Sequence, residues 1–351
     1  MAQAPPGPGR RRATLTIVAD RAGVSRQTVS NVLHTPEVVQ PNTRDRVLAA
    51  IAELDYRPNL AARQMRTSRS QAIAVRIQPS RDGVNSVVLD RFMHALCRAA
   101  EQRSYHLVVF TAADDAAEIS MYGHLRSTLN IDGFVLVGTH AGDHRVGWLV
   151  ERQIPFVAFG RPWFLGSRAH ESTADATAQH SWVDVDGAAG TYQATRHLLA
   201  QGHRRIAFLG WEESAGVGDD REHGWARALA EAGADAAPVV LRGTDDIGDG
   251  VAMATGLYRS HPSVTAAVCV SDSLAIGAWR AGRLADRPLG LVGFDNSAAA
   301  QALGLSSVAQ PLEPAARRCF ELLHTALTTP DQSEPHARVL LEPSLIVRSD
   351  P

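Results

Sequence analysis

Residues 14–67 read TLTIVADRAGVSRQTVSNVLHTPEVVQPNTRDRVLAAIAELDYRPNLAARQMRT. Thr16 is placed to cap a helix that Ile17, Val18 and Ala22 begin and Gly23 ends. Ser25 caps a second helix, with Val29, Val32 and Leu33 on its apolar face. Two short helices around a tight glycine turn make a helix-turn-helix, and Val24 plugs the angle between them. The second helix leaves Arg26, Gln27, Ser30 and Asn31 on its polar side. Arginine grips guanine, and glutamine or asparagine pairs with adenine, so these side chains suit base edges in a groove. A solvated face of an ordinary three-helix bundle would show the same spacing. A third helix, from about Asn42 to Leu54, sets Val47, Leu48, Ile51 and Leu54 at helical intervals. Pro58 and Asn59 then open a segment of about two turns, too short to hold a helix unaided.

Several of these pieces resemble, in order and spacing, the DNA-binding head of the lactose-repressor (LacI) family. They are AGVSRQTVS (22–30), TRDRVLAAIAELDY (43–56) and RPNLAAR (57–63). The resemblance implies DNA contacts from Thr16, Ser25, Arg26, Gln27, Thr28, Ser30 and Asn31. Many members have arginine where Asn31 stands, so the usual operator letters are not expected at the matching base pair. It also implies that 59–69 is a hinge helix and linker, with Asn59, Ala62, Met65 and Arg66 on DNA. In the family this helix folds on the operator, and one apolar side chain from each of two copies prises apart the central base step. Met65 stands there in place of the usual leucine, and an unbranched thioether can fill an opened step.

Charge divides the chain in the same place. Residues 1–69 hold 11 arginines against five acids, a net +6, and the remainder holds 24 against 32, a net −8. A basic head on an acidic body suits a polyanion-binding module joined to something else. Every one of the 35 basic residues is arginine. At 351 residues, 45% hydrophobic and 21% charged, the chain is sized for two or three globular domains. No apolar run approaches the roughly 18 residues of a membrane span. The opening MAQAPPGPGRRRA has no apolar core behind its arginines, so no secretory signal is expected and the protein is placed in the cytoplasm. Cys97, Cys269 and Cys319 are odd in number and far apart, which reads as buried reduced thiols rather than a disulfide framework.

After Ser70 the chain alternates strand-like runs with helix-length segments. AIAVRI (72–77), HLVVF (106–110), GFVLV (133–137) and PFVAF (155–159) form one series. RIAFLG (205–210), VVL (239–241), AAVCV (266–270) and LGLVGF (289–294) form another. Such repeats mean parallel sheets covered on both faces, with a cleft at the carboxyl ends of the strands. The polar stretch from Phe164 to His180 reads as a surface insertion.

The body also resembles the LacI-family effector domain. VDVDGAAGTYQATRHLLAQGHRRIAFLG (183–210), DDREHGWARAL (219–229), SDSLAIGAWRA (271–281), VGFDN (292–296) and VAQPLEPAARR (308–318) carry the likeness. The fold implied is an all-α helix-turn-helix head plus an α/β periplasmic-binding-protein-like body of two Rossmann-like subdomains. Its expected parts are a disordered basic tail at 1–13, the head at 14–58, the hinge at 59–69, and an effector-binding and dimerisation domain at 70–351. By position Arg221 and Asp295 contact the effector, and a guanidinium fork with a carboxylate suits adjacent sugar hydroxyls. Val88, Gly160, Arg161, Asp245, Ser271 and Asp272 fall on the other pocket positions. Gly160 replaces a common acid, Asp245 replaces an aromatic that stacks on the ligand ring, and Ser271-Asp272 replaces an Asn-Asp pair. A pocket so altered favours a polar ligand over a flat purine.

No phosphate loop, nucleophile elbow or metalloprotease helix is present. His140 and His144 are four apart, but in the loop THAGDH with no third metal ligand indicated. No cofactor and no metal is expected. The expectation is therefore a ligand-responsive transcription regulator, a repressor, that binds a pseudo-palindromic operator in double-stranded DNA as a homodimer. Its effector is a sugar or sugar derivative, and it sits in the cytoplasm with the nucleoid. The chain ends soon after LIVRS without a leucine-heptad tail, which favours a dimer over a tetramer. The rivals are a cytoplasmic sugar-processing enzyme with an appended head, and a sugar-transport receptor built on the body alone.

Overall fold

The structure, a computed structural model, describes residues 13–56, 69–77, 83–84, 86–163, 180–212, 216–233, 238–329 and 336–348. The chain divides into two units, Met1–Ser70 and Gln71–Pro351.

In the first unit, helices α1 (Leu15–Ala22), α2 (Arg26–His34) and α3 (Pro41–Glu53) enclose a small core of Val18, Ala19, Val29, Val32, Val47, Ala50 and Tyr56. Thr14, not Thr16, caps α1: its hydroxyl accepts from the Ile17 amide, and Thr16 lies exposed inside the first turn. The helix starts two residues early because Leu15 also packs on the core. Gly23 ends it at φ 66, where its amide reaches the carbonyls of Ala19 and Asp20. Ser25 caps α2, accepting from the Thr28 amide at 3.1 Å. In α3, Leu48 points to solvent and the small Ala50 packs inward instead.

The second unit holds two six-stranded sheets. The first has β1 (Ala72–Ile77), β2 (His106–Thr111), β3 (Gly133–Val137), β4 (Phe156–Phe159), β5 (Trp182–Val185) and β11 (Arg338–Leu341), in the order β11-β5-β4-β3-β1-β2 and all parallel. The second has β6 (Ile206–Trp211), β7 (Val240–Gly243), β8 (Ala266–Cys269), β9 (Gly290–Phe294), β10 (Ser306–Ala309) and β12 (Ser344–Ile346), in the order β12-β10-β9-β8-β6-β7. Only β12 runs antiparallel there. The inner strands β1, β3, β4, β6, β8 and β9 are buried on two faces, which is why they read as continuous apolar runs.

Helices α4 (Ser86–Glu101), α5 (Asp115–Leu129) and α6 (His144–Glu151) flank the first sheet. Helices α7 (Gly187–Ala200), α8 (Val217–Glu231), α9 (Ile247–Ser260) and α10 (Asp272–Leu284) flank the second, and the short α11 (Ala298–Ala302) follows β9. Helix α12 (Leu312–Thr328) follows a strand of the second sheet, yet packs Ala315, Cys319, Phe320 and Leu323 against Ile73, Phe92 and Val135 of the first lobe. The chain therefore crosses between lobes three times, after β5, after β10 and after β11. The two lobes are not two consecutive halves of the sequence.

Two expectations change here. Cys97 is exposed, on the solvent side of α4, whereas Cys269 and Cys319 are buried. Of the expected surface insertion, 164–179 lies outside the described residues, and His180 is buried, stacked on Phe156.

Candidate functional site

The head presents α2 as its polar edge. Arg26 and Gln27 are exposed, while Thr28, Ser30 and Asn31 are half-buried. Gln27 Nε2 donates to Asn31 Oδ1 at 2.9 Å, so the two amides stand as one paired unit. Ser25 and Thr28 share a hydroxyl hydrogen bond at 2.9 Å. The turn before α2 is braced from α3, where Arg46 donates to the Ala22 carbonyl at 3.1 Å at the negative end of α1. Across the same unit Arg21 pairs with Glu53 at 2.6 Å. A short helix whose start, turn and rear face are fixed can hold side chains in register with base edges. Asn59, Ala62, Met65 and Arg66 lie outside the described residues.

In the body, the carboxyl ends of the strands gather the remaining polar residues. Arg161 follows β4 and belongs to the first lobe. Its Nε donates to Asp184 of β5 at 2.6 Å, and its Nη2 reaches Asp220 of α8, in the second lobe, at 3.3 Å. Asp220 also accepts from the Ala188 amide at 3.0 Å, just past the first crossing. This ties the lobes at their hinge. The tie needs close packing behind it: at Gly224 a Cβ would sit 1.9 Å from the Ala188 carbonyl oxygen, so only glycine lets α8 approach α7. Gly160 is constrained as well, at φ 124 with a Cβ position 2.1 Å from Thr139 Oγ1. No acidic side chain fits there.

Arg221, the next residue along α8, is buried and faces the second lobe. Its Nη1 donates to the Val270 carbonyl at 2.5 Å, its plane lies 3.6 Å from the Phe294 ring centroid and 5.3 Å from that of Trp211, and Asp295 stands 4.0 Å away. Among the described residues, the buried Nε of Arg221 and Oδ1 of Asp220 have no hydrogen-bond partners. Burial lowers the Arg221 pKa against the pull of Asp295 and Asp245. Asp295 has φ 106, a conformation rare outside glycine, held by its amide on Val308 at 2.8 Å and by the next amide on Ser307 Oγ at 2.9 Å. Its Oδ1 accepts from Gln310 at 2.6 Å. Ser271 caps α10 and meets Asp245 at 2.5 Å. Both oxygens of Asp272 are used inside the lobe, by the Ser297 amide and the Ser307 hydroxyl, each at 2.6 Å. Val88 is half-buried in the first turn of α4.

Burial pushes the Asp295 carboxyl up to about 7, with Arg221 pulling it down and Asp272 and Asp245 adding to the rise. The ordinary value is near 4, so the folded chain holds this proton more tightly than the unfolded one. Its contribution to stability is full below about pH 4 and is lost as pH climbs through about 7. Asp295→Asn should flatten that decline in urea titrations between pH 4 and 7. An unchanged slope would assign the decline to another group.

On the other side of the first lobe, Glu118 is enclosed with Arg76 at 2.7 Å, Arg145 at 2.8 Å and the Tyr122 hydroxyl. Arg145 also holds Asp143 at 2.6 Å and lies 3.5 Å from Asp115, whose second oxygen is 3.1 Å from His140 Nε2. Asp115, His140 and Asp143 thus stand close enough to share a cation. The sequence indicated no further ligand beside His140 because Asp115 comes from a distant helix. Arg145 already occupies the position of positive charge. Burial opposes the imidazolium form of His140, but the Ala141 carbonyl and Asp115 outweigh it and raise its pKa.

Comparison with known proteins follows the same division. The family model described as "Bacterial regulatory proteins, lacI family" matches residues 14–59. The one described as "Periplasmic binding proteins and sugar binding domain of LacI family" matches 88–313. The HTH-type transcriptional regulator CelR of Thermobifida fusca is 33% identical over 350 residues, 97% of this chain and 98% of CelR. A solved complex of the transcriptional regulator CelR with cellobiose is 30% identical, covers 97% of this chain and all of that one, and superposes with a TM-score of 0.69. The lac repressor dimer bound to operator and the anti-inducer ONPF shares the fold, at a TM-score of 0.77 and 22% identity over 96% of this chain and 98% of that one.

Proposed function

The chain belongs to the LacI family of bacterial regulatory proteins and is a ligand-responsive DNA-binding transcriptional regulator, and from that premise we propose how its residues divide the work. It acts as a homodimeric repressor in the cytoplasm, on a pseudo-palindromic operator, without turnover of its ligand. Residues 14–58 form the reading head, 59–69 the hinge helix that orders on DNA, and 70–351 the sensing and dimerising body. Among the described residues no helix is long and apolar enough to cross a membrane, which agrees with this placement. The effector is sugar-like and lies between Arg221 and Asp295. The observation that carries this assignment is the Arg221 guanidinium, pressed on Phe294 beside Asp295 with a buried Nε that has no partner among the described residues. The CelR complex with cellobiose, a relative bound to a sugar, supports the same class.

Mechanism follows from linkage. A ligand moves operator affinity only by its different affinity for two arrangements of the lobes. Arg161 bridges Asp184 of one lobe and Asp220 of the other, and Asp220 is the neighbour of Arg221 on α8. A ligand that draws on Arg221 therefore acts one residue from the interlobe tie.

The test is selection of bound sites from random DNA, then anisotropy on the selected site with neutral sugars, cellobiose included. A palindromic site whose occupancy changes with one sugar is expected. A monomeric half-site, or a sugar consumed rather than bound, would overturn the reading. On that site, Arg26→Ala or Gln27→Ala should cost about 1–3 kcal/mol each, with little loss on random DNA. Equal losses on both would make these residues phosphate contacts. Met65→Ala should weaken the bent operator complex and leave the melting temperature of the body unchanged. Wild-type bending and affinity in that variant would remove the wedge role.

A further inference from the structure

On a helix, residues four apart are neighbours on one face, and a glutamine followed by an asparagine at that spacing can bond across the turn. In α2 they do so: Gln27 Nε2 donates to Asn31 Oδ1 at 2.9 Å. The two amides are not equally placed. Arg26 and Gln27, in the first turn, are exposed, whereas Asn31, one turn further along, is half-buried. A recognition helix meets base edges with its N-terminal residues. Gln27, the longer and more exposed side chain, is therefore the amide presented to a base, and Asn31 stands behind it with its oxygen engaged. The first turn itself is fixed, because Ser25 accepts from the Thr28 amide and shares a hydroxyl hydrogen bond with the same residue.

A free glutamine amide turns about its last bond and offers a base either its oxygen or its NH2 group. The bond to Asn31 removes that choice. One Nε2 hydrogen is committed, so Gln27 keeps an acceptor, Oε1, beside one remaining N–H donor. Adenine shows the matching pair in the major groove, a donor at N6 and an acceptor at N7. Guanine shows two acceptors, N7 and O6. Against guanine, Oε1 would face O6, acceptor to acceptor. Turning the amide to give guanine both hydrogens would break the bond to Asn31.

Resting on the reading that Gln27 meets a base edge, we infer that Asn31 is a positioning residue. It locks the Gln27 amide in the orientation that accepts adenine and refuses guanine, and it reads no base itself. A side chain held in its bound orientation before contact also loses less freedom on binding. The letters of the half-site are thus set by Arg26 and Gln27, and the step beside Asn31 has no preference of its own.

The test is fluorescence anisotropy of the full chain on the selected operator, with each base pair of the half-site replaced in turn by the other three, and on random DNA. The pair read by Gln27 is the one whose preference Gln27→Ala abolishes. There the unaltered chain should prefer adenine. Asn31→Ala should cut that preference about five- to ten-fold, the scale of one lost hydrogen bond, with guanine gaining most. Asn31→Asp keeps an acceptor for Gln27 and adds a negative charge. It should weaken every site together yet keep the preference for adenine. Each preference is a ratio between sites, so a general loss of folding or of charge attraction does not move it. In the background of Gln27→Ala, Asn31→Ala should change nothing further at that pair. The inference is overturned if Asn31→Ala leaves the preference at the Gln27 pair intact or relaxes a different pair instead. It is equally overturned if Asn31→Asp relaxes the Gln27 pair as alanine does, or if the unaltered chain prefers a base other than adenine there. A loss in Gln27→Ala that is equal on operator and random DNA would overturn both this inference and the base-reading role of Gln27.

Discussion

Arg221→Ala is expected to hold operator DNA as the unaltered chain does, yet lose about a hundred-fold or more in effector affinity. The guanidinium is buried against Phe294, and Asp295 lies 4.0 Å from it. Without it, hydroxyls that enter the cleft lose a buried charged donor, and a site built for hydrogen bonds penalises such a loss heavily. Asp295→Ala should lose affinity in the same direction, since it removes the acceptor of the same pair. Neither change lies in the head, so DNA binding without ligand should persist. Calorimetry with the ligand, run beside operator anisotropy, measures both quantities. Unchanged ligand affinity in both variants would place the pocket elsewhere.

The second large effect belongs to folding. Glu118 is the shared anion of Arg76 and Arg145, both buried, and it also accepts from Tyr122. Glu118→Ala leaves two guanidiniums inside the lobe with less than their compensating charge. Removing one partner of a buried pair costs about 3–5 kcal/mol. Urea denaturation of the full chain should show that loss. Arg145 keeps Asp143 in the variant, so the deficit should be centred on Arg76. A double variant, Glu118→Ala with Arg76→Met, should therefore recover part of the stability. A loss below about 1 kcal/mol in the single variant would mean that water reaches the network.

Much of this was legible before the structure. Apolar runs gave eight strands within a residue or two; six of them, β1, β3, β4, β6, β8 and β9, are buried on both faces and leave no alternation to misread. The strands that escaped are the ones with polar residues. In β5, Asp184 interrupts the apolar run in order to hold Arg161. In β10, Ser306 and Ser307 are buried but serve as partners for Arg348 and for Asp272 and Asn296. β11 joins a sheet whose neighbours lie more than 150 positions earlier, and periodicity carries no information about that distance. At the site, spacing and family likeness put Arg221 and Asp295 together, and the structure does bring them face to face. The role of Asp220 was missed although it is adjacent to Arg221. Its partner Arg161 comes from the other lobe, and no local pattern shows such a pair. The Glu118 network was invisible for the same reason, its members coming from β1, α5 and α6.

The second interlobe crossing has a consequence for the order in which the molecule comes into being. The head closes its own core by Tyr56, early in synthesis. The lobe that starts at Ala72 waits for Arg338–Leu341 to cover the flank of β5, some 270 residues later. At bacterial rates of about 5–20 residues per second, that gap lasts roughly a quarter of a minute to a minute. For the last 150 or so residues of it, about 8–30 seconds, β5 presents an open strand edge to the crowded surroundings of the ribosome, the kind of edge that recruits stray strands. A message cut short before residue 338 would yield a chain able to fold its DNA-reading helices but not the lobe that governs them. Such a fragment would be a regulator deaf from birth, and its removal falls to the cell's proteases.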